Sequence, residues 1–380
     1  MEKRLKLYLN SLVANSGSDL HLKSGSHVRV RVHGLLKKLG DDQLTDHQLA
    51  QLAQEIMTEA QYKKLQEERS IDFTYVLDEN SRFRVNFFYQ MDGLSAVFRI
   101  IPVEVPTLEQ MELPEVIKTF AGIPRGLVLV TGVTGSGKST TLAALIHEIN
   151  RTSPKHIITL EDPIEFVHRD NKALINQRSV GEDTRNFGDA LRAALREDPD
   201  IILVGEIRDL ETIDLALHAA NTGHLVFSTL HTLDAKETIN RVIGMFPKEE
   251  QNRVRAALSS VLAGVISQRL APTISGKRTA VIEVLVQTTR IAEMIADGRD
   301  MEIPDAIADG KEIYGSQTFD QHLLDLIDQH TITEDTALEY ATSPSDLKLK
   351  LQGIGRGGSS QSLMDDATQL DAFEIKEDEG

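Results

Sequence analysis

The amino-acid sequence predicts an α/β protein in which a small α+β domain precedes a parallel β-sheet covered by helices on both faces. Alternating, strand-like segments dominate residues 1–102, whereas apolar strand-like runs alternate with helical segments from residue 116 onward. Near-continuous apolar strands separated by helices are typical of parallel sheets that are buried on both faces. Because 380 residues exceed one compact core, the length also favours two or three domains.

Residues 1–102 form the predicted α+β domain, and each of its elements has its own local pattern. Apolar spacing indicates helices in LKLYLNSLV and in DHQLAQLAQEIM. Alternation indicates strands in VRVRVHG, which turns at Gly34, and then in DFTYVL, RFRVNFFYQ and SAVFRII. The next stretch, PVEVPTLEQMELP, carries three prolines and little periodicity, so we place an interdomain linker at 103–115.

Residues 116–270 carry the alternating elements of the predicted parallel sheet. The strand runs are LVLVT, HIITLE, DIILVGE and LVFSTL, and the intervening helical runs include FGDALRAALRE and LETIDLALHAAN. Residues 271–351 are predicted to be a mostly helical region that one strand-like run, TAVIEVLV, interrupts. The preceding stretch, NRVRAALSSVLAGVISQRL, is also predicted to be helical.

The C-terminal segment, 352–380, differs from the rest of the chain in composition. It begins with the Gly/Ser-rich GIGRGGSSQS and continues with the acidic MDDATQLDAFEIKEDEG. Such a composition buries too little apolar surface to fold, so we predict a disordered acidic tail. The tail is either a solvated terminus without a specific function or a docking segment, and the sequence leaves both interpretations open.

Composition narrows the class of protein. The chain has no cysteine, which excludes a disulfide framework and a cysteine-based zinc site. Its longest apolar stretches are strand-sized, so we expect no transmembrane segment, and the N-terminus lacks the apolar core of a signal peptide. These features predict a cytoplasmic protein. The formal net charge of −17 argues against broad phosphate-backbone contact, so we expect no nucleic-acid partner.

The stretch GVTGSGKST, residues 132–140, lies between an apolar strand and a helical run. Its glycines let successive backbone N–H groups converge on an anion, and the helix adds its positive N-terminal end. The lysine can reach the β- and γ-phosphates, and the serine hydroxyl after it can bind magnesium. The loop therefore predicts ATP and Mg²⁺ as ligands. The predicted ATP-binding residues are Thr134, Gly135, Ser136, Gly137, Lys138, Ser139 and Thr140.

Hydrolysis needs a group that activates water, and two acidic stretches follow strands of the predicted sheet. IITLEDPIEF places Glu161, Asp162 and Glu165 where strand ends meet the phosphate loop; the alternative is a solvated acidic turn. DIILVGE resembles a Walker B strand that ends in Glu206, but Gly205 stands where an aspartate is usual. This departure moves the predicted base away from Glu206, which we expect to act on magnesium directly or through water.

Two histidines and three arginines complete the candidate set. TGHLVFSTLHT places His224 and His231 on either side of an apolar strand, where either a structural role or a γ-phosphate sensor is possible. On the nucleotide sheet, the sensor role is the better prediction for His231. Strands outside that sheet carry arginines that are either simply solvated or able to couple ATP state to domain position. They are Arg82, Arg84 and Arg99.

The four stretches GVTGSGKST, TLEDPIEF, LREDPDIILVGEIRDLETI and TGHLVFSTLHT occur in this order with a spacing that resembles the secretion-ATPase superfamily. The similarity is greatest to the PilT/PilU retraction ATPases of type IV pili and covers essentially residues 3–348. It implies a PAS-like N-terminal domain followed by a RecA-like ATPase domain. It also implies a homo-hexamer that hydrolyses ATP to power pilus retraction in twitching motility, bound peripherally at the inner membrane to a pilus platform protein.

The resemblance assigns roles to residues at matching motif positions. Lys138 and Ser139 would hold phosphate and magnesium, Glu165 would be the catalytic glutamate, and Glu206 would be the Walker B acid. The remaining assignments are a histidine box, His224 and His231, and phosphate-contacting arginines, Arg82, Arg84 and Arg99.

Features outside these motifs distinguish members of the superfamily. Assembly and type II secretion motors typically carry a longer N-terminal region and a four-cysteine zinc module, so this chain favours retraction. However, the AIRNLIRE stretch of PilT-type proteins is RIAEMIAD here, with Ala292 and Ala296 in place of both arginines. The longer C-terminus is more similar to PilU. The alternative is therefore a PilU-like accessory or regulatory paralogue that needs a partner retraction ATPase; a secretion or nucleic-acid motor is less favoured.

Overall fold

The computed structural model describes residues 1–79, 81–102 and 104–353. The predicted tail lies outside the described residues from 354 onward. Two β-sheets with flanking helices make up the described chain, as the predicted α/β class requires. Among these residues, no helix combines the length and the apolar character needed to cross a bilayer.

The N-terminal sheet is built from six antiparallel strands and is packed against three helices. The strands are β1 Gly17–Lys23, β2 Ser26–Val32, β3 Leu35–Leu44, β4 Ser70–Asp78, β5 Ser81–Gln90 and β6 Gly93–Ile101. The helices are α1 Glu2–Ala14, α2 Asp46–Ile56 and α3 Glu59–Glu68. The strand order is β3-β2-β1-β6-β5-β4. One face is apolar, and the rings of Phe87 and Phe98 meet edge to face there with centroids 6.0 Å apart.

The second sheet has seven strands. They are β7 Gly126–Thr131, β8 His156–Glu161, β9 Leu174–Ser179, β10 Ile201–Val204, β11 Leu225–Leu230, β12 Leu262–Pro272 and β13 Arg278–Val286. Their order is β13-β12-β7-β11-β10-β8-β9, and every pair is parallel except β12 with β13. The parallel pairs confirm the predicted sheet, and β13 adds an antiparallel edge.

Helices cover both faces of this sheet. Helix α4 Val116–Thr119 precedes the first strand, β7. The helices between the strands are α5 Lys138–Thr152, α6 Phe187–Ala194, α7 Leu210–Asn221, α8 Ala235–Gly244 and α9 Gln251–Val261. Those after the sheet are α10 Thr289–Asp297, α11 Ile303–Asp309, α12 Lys311–Tyr314, α13 Phe319–Asp328, α14 Glu334–Tyr340 and α15 Pro344–Leu351. On β7, Val128 and Val130 share a core with α5, whereas Leu127 and Leu129 share one with α6–α9. The alternation along one buried strand therefore builds both layers.

The prediction of one helix over 252–270 is wrong. Helix α9 ends at Val261, and the chain continues directly as β12 beside β7. The apolar run around Val265 and Ile266 fits a buried helix and a buried strand equally well, and β-branched residues favour the strand. The predicted domain boundary at 270/271 consequently falls inside β12. We propose instead that the ATPase core extends through Val286 and that the helical region follows it.

Glu283 is a buried acid on β13, outside the predicted site. Its Oε1 accepts a hydrogen bond of 2.8 Å from the backbone N–H of Ala235 at the start of α8. Burial is the main cause that raises the pKa of Glu283 from 4.5 to about 7; Asp234 and Asp320 also raise it, whereas the Ala235 N–H and the Arg269 cation lower it. The folded protein therefore holds this proton more tightly than the unfolded chain does.

We expect Glu283→Gln to stabilise the fold in a pH-dependent way. Between about pH 4.5 and 7 the unfolded chain loses the Glu283 proton first, so wild-type stability falls as pH rises through this window. Glutamine keeps an acceptor for the Ala235 N–H and removes this loss, which amounts to at most roughly 3 kcal/mol. Urea unfolding from pH 5 to 8 should show the variant's advantage growing up to about pH 7 and then levelling off.

The matched control for this experiment is Glu293→Gln, because Glu293 is exposed on α10. The control should follow the wild type at every pH. An advantage of Glu283→Gln that stays constant from pH 5 to 8 would contradict the assignment of this proton to Glu283.

Candidate active site

The phosphate loop joins β7 to α5, and tertiary packing holds it in its strained shape. Gly132 has φ 140, and a Cβ there would collide with the carbonyl oxygen of Gln268 on β12. The side-chain Oε1 of Gln268 accepts a hydrogen bond of 3.0 Å from Thr141 Oγ1 on α5. Lys138 is buried within the loop, where its Nζ donates to the carbonyl oxygens of Gly132 at 2.8 Å and Val133 at 3.0 Å.

A cavity of about 600 Å³ lies in front of the loop, at the carboxyl ends of β7, β8, β10 and β11. This is the edge at which parallel α/β sheets bind ligands. Ser136 is buried beneath the loop, and its Oγ has no hydrogen-bond partner among the described residues. The other predicted loop residues line the cavity: Thr134, Gly135, Gly137, Lys138, Ser139 and Thr140.

Glu165 lies across the cavity from the loop. Its carboxylate has no hydrogen bond or ion pair with the described residues, and its charge helps to hold the Lys138 proton. Glu161 behaves differently, because its Oε1 accepts hydrogen bonds from Thr159 Oγ1 at 2.7 Å and Gln177 Nε2 at 3.1 Å. Burial is the main cause that raises the pKa of Glu161. Of these two carboxylates, only that of Glu165 is free to act on a ligand.

Glu206 follows β10 on the floor of the cavity, and both of its oxygens are engaged. Oε2 lies 2.8 Å from Arg208 Nη2, and Oε1 lies 3.1 Å from His231 Nε2. Arg208 also lies 3.7 Å from Asp162. A carboxylate whose two oxygens already have partners is less free to orient a water molecule than an unpaired one. The arrangement therefore favours a binding or sensing role for Glu206 and His231 over a base role.

Lys138 is the electrostatic centre of this site. Burial lowers the pKa of its ammonium, and the carboxylates of Glu206 and Glu165 oppose that shift. A buried cation that donates to loop carbonyl oxygens is well placed to receive a polyanion, because phosphate oxygens would replace those carbonyl oxygens as acceptors.

His224 is a predicted site residue that the structure does not bring to the cavity. It precedes β11 and His231 follows it, so a strand of 6 residues separates the two histidines. At about 3.3 Å per residue, that strand places the two histidines roughly 20 Å apart, at its amino end and its carboxyl end. His224 Nδ1 instead lies 3.0 Å from the carbonyl oxygen of Ala219 at the end of α7. A structural role accounts for these contacts.

The arginines of the N-terminal sheet also lie away from the cavity. Arg84 Nε is 3.5 Å from Asp72 Oδ1, and Arg99 Nε is 2.7 Å from Oδ1 of the buried Asp19. Arg82 Nε is buried without a hydrogen-bond partner among the described residues. Within the described part of the chain, none of these three arginines lines the cavity. A contact between these arginines and phosphate in the cavity of the same chain would require the N-terminal domain to move.

The structure adds cavity residues that the sequence reasoning missed. Arg208 could have been found, because the EIRD stretch puts a cation two residues after Glu206. Arg278 is the first residue of β13, and His168 comes from the loop after Glu165. No local pattern marks either residue. Gln268, which supports the loop from β12, could not be found while that stretch was assigned to a helix.

The stretch RIAEMIAD keeps the packing that its apolar spacing predicts. Helix α10 buries Ile291, Met294 and Ile295, whereas Ala292 is half-buried and Ala296 is exposed. The alanines thus occupy positions where longer side chains would reach the surface. Their effect is on surface contacts and not on the core.

Comparisons with known proteins agree with this site. A family model described as Type II/IV secretion system protein matches residues 1–296. The chain is 49% identical over 327 residues to the type IV pilus retractation ATPase PilT of Pseudomonas aeruginosa, covering 86% of this chain and 95% of that protein. It is 38% identical over 379 residues to the type IV pilus ATPase PilU of the same organism, covering 100% of this chain and 97% of that protein.

A solved structure extends the similarity to the fold. The crystal structure of the pilus retraction motor PilT with bound ADP matches with a TM-score of 0.84 at 43% identity, covering 90% of this chain and 98% of that one. The resemblance to the PilT/PilU retraction ATPases is thereby confirmed, as is an N-terminal domain ahead of an ATPase domain. The chain belongs to the Type II/IV secretion system protein family and is an ATPase.

Proposed function

We propose that this chain is a Mg-ATP-driven motor that powers retraction of type IV pili. The observation that carries the proposal is one cavity in which a buried loop lysine, Lys138, faces an unpaired carboxylate, Glu165. The similarity to PilT over most of both chains supports pilus retraction as the process that ATP hydrolysis drives.

The chemistry follows from the positions of the side chains. The loop N–H groups and Lys138 bind the β- and γ-phosphates, and Glu165 orients a water molecule and accepts its proton. The water oxygen bonds to the γ-phosphorus while the bond to the bridging oxygen breaks, which gives ADP and phosphate. Release of the γ-phosphate changes the charge next to the Glu206–Arg208–His231 cluster, so this cluster can report the nucleotide state.

The donor set at the loop fits magnesium. No group of three or more His, Cys, Asp or Glu side chains that could hold a metal exists within 1–79, 81–102 and 104–353. Mg²⁺ suits such a site, because it takes one or two protein ligands and fills its shell with phosphate oxygens and water. Ser139 would bind it directly and Glu206 through water, since both oxygens of Glu206 are engaged. The ion would supply charge neutralisation on the phosphates.

Hydrogen bonds between the two domains support a coupling of ATP state to domain position. The backbone N–H of Thr74 donates to Glu182 Oε1 at 2.6 Å, and Arg169 Nη2 donates to the carbonyl oxygen of Glu79 at 3.0 Å. Arg169 lies in the segment that follows Glu165, whereas Glu182 lies in the turn after β9. Movement of the segment after Glu165 during hydrolysis would therefore be transmitted to the N-terminal domain, the step by which its arginines would approach phosphate.

The remaining elements of the proposal concern assembly. We infer a homo-hexamer in the cytoplasm that docks at the inner membrane on a pilus platform protein. The second candidate function is a PilU-like accessory ATPase that works with a paralogous retraction ATPase. The similarity to PilU across 100% of this chain and 97% of that protein is consistent with this second candidate, although the 38% identity is lower than the 49% to PilT.

Deletion of the gene from its host, with and without the paralogous motor genes, tests the proposal. If the chain is the primary retraction motor, the single deletion should abolish twitching and should leave the cells with excess pili. An accessory ATPase predicts that twitching persists until a paralogue is also weakened or removed. Normal twitching in every combination would contradict both functions, and plasmid-borne wild type is the control for restoration.

A further inference from the structure

The side-chain amide of Gln177 bridges the loop that carries Glu165. Gln177 lies half-buried on β9, the edge strand, opposite Thr159 of β8. Its Nε2 donates to Glu161 Oε1 at 3.1 Å and to the carbonyl oxygen of Phe166 at 2.9 Å. Its Oε1 accepts from the backbone N–H of His168 at 2.7 Å. One side chain therefore contacts the loop before and after Glu165.

The hydrogen-bond pattern requires an amide at this position. Both contacts of Nε2 are to oxygen acceptors, and the contact of Oε1 is to an N–H donor. Neither a carboxylate nor an ammonium offers that combination. The side chain is thus matched to the loop by chemistry as well as by shape.

The contact with Glu161 extends the support to Glu165 itself. The backbone N–H of Glu165 faces the Glu161 carboxylate and lowers its pKa, which partly offsets the effect of burial. Gln177 consequently holds the carboxylate that faces the N–H of Glu165, and it holds the residue after Glu165 directly through the Phe166 carbonyl oxygen. The hydrogen bonds to Phe166 and His168 fix the backbone directly after Glu165.

The side chain of Glu165 has no such anchor. It makes no hydrogen bond or ion pair with the residues that the structure describes, so its position depends on the backbone that carries it. A displacement of about 1 Å at a reacting group can cost roughly 100-fold in rate. The support of this loop is therefore a requirement of the chemistry.

We propose that Gln177 is a positioning residue for ATP hydrolysis, which holds the Glu165 loop against the nucleotide through its three hydrogen bonds. The inference rests on the proposed function, because it assigns the attacking water to Glu165. Gln177 touches neither nucleotide nor water in this account and acts only through the loop.

Steady-state ATP turnover of the full-length chain tests this role with two variants. Gln177→Ala removes all three hydrogen bonds, and we expect kcat to fall roughly 10- to 100-fold while KM for ATP stays within about 3-fold. Gln177→Glu keeps the shape and the acceptor for the His168 N–H, but it loses both donors and faces the Glu161 carboxylate. It should therefore lose at least as much kcat as the alanine variant.

Asn176→Ala is the matched control, because Asn176 is the neighbouring residue on β9 and its Nδ2 contacts His156 Nε2 instead of the loop. We expect wild-type kcat and KM for this control.

A second test adds Gln177→Ala to Glu165→Gln, and the double variant should be no slower than Glu165→Gln alone, because Gln177 acts through Glu165.

The outcomes separate the inference from the function on which it rests. Wild-type kcat in both Gln177 variants would overturn the inference alone, as would an equal loss of kcat in Asn176→Ala. A matched rise of KM with the fall of kcat would assign Gln177 to nucleotide binding and would also overturn it. Absence of turnover in the wild type would overturn the proposed function and the inference together.

Discussion

Lys138→Ala is expected to abolish ATP binding at concentrations that saturate the wild type. The Lys138 ammonium is buried in the loop and donates to two loop carbonyl oxygens, so it is already in position for phosphate oxygens. A charge-assisted contact of this kind contributes up to about 3 kcal/mol, which corresponds to a rise of roughly 100-fold in Kd. Titration with a fluorescent ATP analogue measures this change, and turnover should disappear with it.

Lys248→Ala provides the control, because Lys248 is an exposed lysine in the same domain and does not line the cavity. It should bind nucleotide like the wild type. A Lys138→Ala variant that bound ATP within about 3-fold of the wild type would show that the loop is not the phosphate site, and the assignment of the cavity would fail with it.

Glu165→Gln should retain ATP binding and lose hydrolysis. The amide keeps the size of the side chain but cannot accept a proton from water, so only the chemical step is affected. Removal of a general base costs about 10²- to 10⁴-fold in kcat. Phosphate release at saturating ATP and Mg²⁺ measures the loss, while nucleotide titration should give a Kd within about 3-fold of the wild type.

The control for this variant is Glu249→Gln, an exposed glutamate next to Lys248 that lies outside the cavity. Unchanged kcat is expected there. If Glu165→Gln hydrolysed ATP at the wild-type rate, another group would have to activate water, and the free carboxylate of Glu165 would have no assigned purpose.

The parts of the fold that could be predicted are those that local pattern determines. The run LVLVT and the loop after it indicated a strand, a turn and a helix, since each signal lies within a few residues. Strand β9 was missed because LINQRS is an edge strand whose residues are mostly exposed or half-buried, so it shows no apolar alternation. Strand β3 was missed for a similar reason, as nearly all of its residues are exposed.

The parts of the site that were missed depend on contacts between distant segments. Gln177 matters because β9 pairs with β8, and Gln268 matters because β12 lies beside β7. Neither pairing leaves a mark in the sequence next to those residues. For His224, in contrast, the sequence already held the answer. The strand between His224 and His231 implied that the two could not both lie at the carboxyl ends of the strands.

The displacement of the base from the Walker B strand to the EDPIEF loop is the central claim, and a single-turnover measurement tests it most directly. Each protein would be loaded with ATP and mixed with Mg²⁺, and the rate of phosphate formation would be compared for Glu165→Gln and Glu206→Gln. We predict that Glu165→Gln removes the chemical step at every Mg²⁺ concentration, whereas Glu206→Gln slows it in a way that added Mg²⁺ partly restores. Hydrolysis at the wild-type rate in Glu165→Gln, with the step lost only in Glu206→Gln, would contradict the account.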